Sequence, residues 1–179
     1  MKKISAWISA AFIIFTCSAA AADTIELGRL AKNKGPIAVW VASVTNGAGK
    51  AEVNADDFKK SLEDAIVKRG GGKSFLLCST PEASSVQISA VIEGYEYSEK
   101  DPITTFGSPS GMLLDAMTTE NYVAMKARFT VTDTKTGKTL WNDAVTSFIK
   151  KMMTQKDSVP LIYNKLSRTF LWKCFGRPK

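Results

Sequence analysis

Val123-Ala-Met-Lys-Ala-Arg-Phe-Thr-Val-Thr132, Asp133-Thr-Lys-Thr-Gly-Lys138 and Thr139-Leu-Trp-Asn-Asp-Ala-Val-Thr-Ser-Phe-Ile-Lys150 decide the fold. In the first segment Val123, Met125, Ala127, Phe129 and Val131 alternate with Lys126, Arg128, Thr130 and Thr132. That period of two places the apolar side chains on one face of a strand. The second segment supplies turn chemistry and the third returns as another strand, so the three together spell a β-hairpin.

Towards the N-terminus, Ile37-Ala-Val-Trp-Val-Ala-Ser-Val44 is apolar almost throughout and β-branched at several positions, which fits a central strand buried on both faces. A Gly- and Asn-rich loop follows over 45–50, and Asn54 or Ala55 opens a helix. Asp56 and Asp57 suit the positive end of that helix, and Phe58, Leu62, Ala65 and Ile66 form its apolar stripe. Gly70-Gly71-Gly72 stops it. Residues 74–79 read as a short strand carrying Cys78, and 85–97 as a longer one in which Val86, Ile88, Ala90 and Ile92 alternate, with Gly94 marking a bulge or bend. At the C-terminus, Asp157 or Ser158 caps a helix with Pro160 in its first turn, and Tyr163, Leu166, Phe170 and Cys174 share one face. The order β-α-β-β-β-β-α gives an α+β two-layer sandwich: an antiparallel or mixed sheet of about five strands with the two main helices on one face.

Residues 1–22 set where this domain works. Met1-Lys2-Lys3, an apolar run from Ile4 to Phe15 and the small residues Ser18 to Ala22 have the parts of a secretory leader, with cleavage after Ala22. The apolar run falls short of the ~20 residues that span a bilayer. The alternative is acylation at Cys17, but Ile14, Phe15 and Thr16 match a lipoprotein leader poorly. The division is therefore a leader over 1–22, a lead-in over 23–35 and one domain over 36–179, in the periplasm or secreted, or lipid-anchored at Cys17. A length of 179 residues minus that leader suits a single core.

The net charge of +7, from 24 basic and 17 acidic residues, is scattered, and export sets nucleic acid aside as a partner. Lys165, Arg168, Lys173, Arg177 and Lys179 read as the solvated face of the last helix and tail, with contact to an anionic membrane surface as the sharper reading. Cleavage leaves Cys78 and Cys174 as either one disulfide or two buried thiols.

Absence of histidine removes the Ser-His-Asp and Cys-His routes to nucleophile activation and the commonest zinc ligand. Ser147-Phe-Ile-Lys150 and Lys135-Thr136-Gly137 copy two elements of penicillin-recognising serine enzymes in the wrong order, and Ser147 and Lys150 lie three apart on a strand, facing opposite sides. Gly47-Ala-Gly-Lys50 lacks the spacing of a phosphate loop. Asp56, Asp57, Glu63 and Asp64 read as dipole complement and solvated face rather than metal ligands. No cofactor is called for, and the chain reads as a non-enzyme.

Residues 102–121 are longer than most connections in a compact domain and carry Ile103, Phe106, Met112, Leu113, Leu114 and Met117 among Gly, Ser, Thr and Pro. These six form the candidate binding surface for a protein or lipid partner; the bland alternative is a loop folded back with a short helix over 110–117. The early strand, the helix after it, the strand over 86–97 and Asp133-Thr-Lys-Thr-Gly-Lys-Thr-Leu-Trp141 resemble a group of bacterial envelope accessory proteins. That group includes the curli secretion protein CsgG, the penicillin-binding-protein activator LpoB and the N-terminal domain of TolB. The resemblance implies an envelope adaptor that binds a protein partner or an assembly. A lipid- or small-ligand-binding module is the alternative, with a cavity between sheet and helices lined by Trp40, Phe129 and Phe170.

Overall fold

The computed structural model describes residues 36–70, 74–98, 121–151 and 153–176. Strand β1 (Ile37–Asn46) is followed by helix α1 (Ala55–Gly70), β2 (Phe75–Leu77), β3 (Val86–Ser98), β4 (Asn121–Asp133), β5 (Thr139–Lys151) and helix α2 (Gln155–Phe175). The sheet order is β2-β1-β3-β4-β5. β1 runs parallel to both β2 and β3, and β3, β4 and β5 are antiparallel in sequence. The sheet is mixed because a parallel neighbour needs a crossover, and α1 is the crossover from β1 to β2.

Each element forms for a local reason. Asn54 Oδ1 accepts the backbone N–H of Asp56 (2.8 Å) and of Asp57 (3.2 Å), which caps α1. Helix α2 starts earlier than expected. Its cap is Thr154, whose hydroxyl accepts the Asp157 N–H at 3.2 Å and donates to the Asp157 carboxylate at 2.7 Å. Asp157 is thus the acidic partner of a reciprocal capping pair rather than the cap itself, and Ser158 is buried inside the helix. The hairpin turn closes because Asp133 Oδ1 accepts the N–H groups of Lys135 (2.9 Å) and Thr136 (2.8 Å), and Gly137 takes φ +68°, where a Cβ is strained. These hydrogen bonds hold the Asp133 carboxyl below the usual carboxylate range, the bond from Thr136 contributing most. A register shift between Ile92 and Gly94 interrupts the β3–β4 pairing where Gly94 marks a bulge or bend.

Both helices lie on one face of the sheet. Between the layers Phe129 and Phe170 stack with ring centroids 4.1 Å apart and planes 6° from parallel. Phe58 and Phe129 meet edge-on at 6.1 Å, Phe75 and Phe175 at 5.0 Å, and Trp141 leans on Phe170 at 5.5 Å. This one cluster ties α1, α2, β2, β4 and β5 together and holds the fully buried Leu62, Ile88, Ile92, Met125 and Leu166.

The central strand departs from the expectation of burial on both faces. Ile37, Val39 and Val41 are buried, whereas Ala38, Trp40 and Ala42 are only half-buried. Among the described residues both helices lie on the first face and neither covers the second, so that side of β1 is only half-buried there. Among the described residues no helix is long and apolar enough to cross a membrane.

Candidate functional site

Three regions of the described surface carry features beyond core packing. The first is the sheet end from which 99–120 departs. Ser98 pairs with Tyr122, so the two roots of that connection are neighbours. They are clamped to the start of α2: Tyr97 Oη donates to the Met153 carbonyl at 3.0 Å, and Asn121 Nδ2 reaches both that carbonyl (2.6 Å) and Tyr97 Oη (2.9 Å). Next to the clamp, on the uncovered face, Tyr122 stacks on Phe148 at 6.2 Å, and Phe148 is 53% exposed. The six candidate loop residues, Ile103, Phe106, Met112, Leu113, Leu114 and Met117, lie outside the described residues, as do Cys17 and the whole leader.

The second region is the rest of the uncovered face and its β5 edge. Leu76 (55% exposed), Trp40 and Val91 stand on it, and Glu93 is gripped by Lys126 (3.0 Å) and Arg128 (2.6 Å) in its middle. Those bonds, Lys126 first, hold the Glu93 pKa below the usual carboxylate value. Along β5 two edge groups are occupied by side chains. Asp143 Oδ1 accepts the Ala144 N–H at 2.7 Å, and Lys165 Nζ donates to the Phe148 carbonyl at 2.6 Å.

The third is the cleft between α1 and α2, which runs side by side along both helices. A recess of about 800 Å³ lies between their N-terminal halves, with Glu52, Asp57, Asp64, Lys60 and Lys156 around a floor that includes Tyr163. All five charged residues are solvent-exposed, which leaves no dry pocket where a carboxylate or amine could act as acid, base or nucleophile. The Tyr163 hydroxyl is committed to the backbone of Asn54, accepting its N–H at 2.9 Å and donating to its carbonyl at 3.2 Å, and burial pushes its pKa up. A second recess of about 290 Å³ lies between the C-terminal halves.

Several readings of the sequence are settled by these positions. Cys78 and Cys174 are free thiols, not a disulfide. Cys174 is buried in the helix-sheet core, where loss of solvation pushes its pKa up strongly. Cys78 sits half-buried after β2, with Sγ 3.3 Å from the Ala83 carbonyl. The cavity expected between Trp40, Phe129 and Phe170 does not form: the two phenylalanines stack in a filled core, and Trp40, in register with Gln87, points to the opposite face. Ser147 is buried against Thr169, its Oγ donating at 3.1 Å, while Lys150 is exposed on the other face. The Gly47–Lys50 loop is clasped by Asn46, whose Nδ2 donates to the carbonyls of Lys50 (2.9 Å) and Val53 (2.8 Å). Sequence reasoning missed the interhelical cleft, because its walls come from the outward ridges of two helices far apart in the chain.

No protein-family model and no curated protein sequence matches the chain. Solved structures do. A PelC dodecamer from Paraburkholderia phytofirmans is similar at 13% identity with a TM-score of 0.51, covering 79% of this chain and 90% of that one. A hypothetical protein from Chlamydia trachomatis scores 0.50 at 9% identity, over 79% and 96% of the two chains. The C-terminal domain of LpoB from Salmonella enterica, named in the resemblance above, scores 0.39 at 11% identity over 72% and 96%. At such identities the likeness is one of fold.

Proposed function

We propose that this chain is a non-enzymatic accessory module of the bacterial envelope, exported by cleavage after Ala22, which binds a protein partner or assembly through the 102–121 loop and the sheet end beside it. The observation that carries the proposal is the clamp of Tyr97, Asn121 and Met153. It fixes both roots of a long apolar connection next to the stacked Tyr122–Phe148 pair, of which Tyr122 is half-buried and Phe148 exposed. A rigid root with an apolar loop and a partly exposed aromatic pair is how a scaffold presents a binding surface. The fold also occurs in PelC, which is a dodecamer, so this architecture is compatible with work inside an assembly.

Affinity purification from the native envelope tests the proposal, comparing the intact protein with one lacking residues 103–117 and with Phe148→Ala. Partner recovery should fall in both variants. Equal recovery from all three would remove the loop and its platform from the function. Intact mass of the exported protein decides attachment, since a chain starting at Asp23 is free and one starting at an acylated Cys17 is anchored.

A further inference from the structure

We propose that the smaller recess, between the C-terminal halves of α1 and α2, binds a phosphate group. Its walls are Lys68 and Arg69 from α1 and Arg168, Leu171 and Trp172 from α2, and among the described residues no carboxylate lines it. Among the described residues the ion pairs are those of Glu93 with Lys126 and Arg128, so none of the three cations is neutralised by a nearby acid. The recess, at about 290 Å³, has room for one oxyanion and part of what it is attached to.

Helix ends are the competing explanation for so much positive charge, because both helices point their C-termini this way and basic side chains commonly offset that partial charge. The magnitudes separate the two. Two helix C-termini present about −0.5 elementary charge each, against three full positive charges, which leaves a surplus of roughly two. Part of the helix-end charge is also satisfied within the backbone, where the Gly176 N–H donates to the Trp172 carbonyl at 3.0 Å.

Geometry then assigns the parts. The Arg69 guanidinium is half-buried and held 5.6 Å over the Phe75 ring. Arg168 lies 5.7 Å over the Trp172 ring, which holds its planar fork at the rim. Lys68 is exposed opposite it. A fork that can give two parallel N–H bonds, a mobile ammonium and a half-buried guanidinium are the donor set that suits phosphate oxygens. Phosphate of this kind is carried by an anionic lipid headgroup or by a small soluble phosphate compound, and the proposal is independent of the 102–121 loop.

The exported protein titrated with inorganic phosphate, and separately sedimented with phosphatidylglycerol vesicles and with phosphatidylcholine vesicles, tests it. Lys68→Ala with Arg168→Ala should weaken whichever interaction the native protein shows by ten-fold or more. Lys150→Ala with Lys151→Ala, which removes the same charge from the far edge of the sheet, should leave it within two-fold. Binding of free phosphate without vesicles assigns a soluble compound; selective binding of the phosphatidylglycerol vesicles assigns the lipid. Equal weakening by the two double variants would reduce the effect to general charge and overturn the proposal, as would a native protein that binds neither probe. Far-ultraviolet circular dichroism of the variants excludes misfolding, since all four replaced side chains are exposed.

Discussion

Phe129 is the residue on which the two layers turn. It is fully buried, it stacks on Phe170 from α2 and it meets Phe58 from α1, so its truncation leaves a cavity that neither helix can fill without moving. Phe129→Ala should cost about 3–5 kcal/mol, read as a drop in urea midpoint. Trp40→Ala should cost much less, because Trp40 stands half-buried on the uncovered face. The cysteines part in the same way. Burial keeps the Cys174 thiol protonated far above neutral pH, whereas Cys78 is half-buried outside the core, and the thiolate is the reactive form. Iodoacetamide applied to the native protein should modify Cys78 well before Cys174, with both modified in denaturant; peptide mapping reads the order. A Cys78–Cys174 disulfide would block both reactions.

Turns, caps and edges decide how the elements hold. Asp133 closes the β4–β5 turn with its carboxylate, and its folded pKa lies below the ordinary value of about 3.9. A depressed folded value means that its contribution is complete above the unfolded value and is lost as pH falls through the folded one. The difference in melting temperature between the native protein and Asp133→Ala should therefore be constant from about pH 5 to 7 and shrink below about pH 4. An unchanged gap at low pH would show that the turn does not depend on the charge. At the edge of the sheet, where β5 is the last of the described strands, it offers a row of backbone groups to another strand, and Asp143 and Lys165 occupy two of them. Replacing both with alanine should raise concentration-dependent light scattering while leaving the secondary structure intact. Much of this scale was legible beforehand. Alternation over 123–131 gave β4, and the Asp133–Lys138 run gave the turn. The α2 cap, expected at Asp157 or Ser158, lies three or four residues earlier, because Thr154 and Asp157 act reciprocally and either resembles a cap in isolation. The edge guards were invisible, since Lys165 reaches β5 only through tertiary contact.

At the scale of the molecule, composition and the order of elements were enough for the two-layer architecture, because one helix between strands and one after them have only one sheet to cover. What they could not supply was which strand neighbours which. Trp40 shows the consequence: an apolar run reads as two-sided burial, but with both helices on one face the second side of β1 is left half-open. The same topology places the C-terminal α2 across β4 and β5 and beside α1, with Phe170 touching Phe129, Trp141 and Phe175. Removing α2 from the sheet would expose the centre of the common cluster, so it cannot detach as a separate unit and leave the rest folded. Urea unfolding followed by far-ultraviolet circular dichroism should then coincide with unfolding followed by exposure of the Cys174 thiol, which lies in the last turn of α2 and is buried. Coincident midpoints are the behaviour of one cooperative core. Exposure of Cys174 at a lower urea concentration than the loss of sheet signal would show instead that α2 is a locally unfolding segment, and would separate the helical layer from the sheet that it covers.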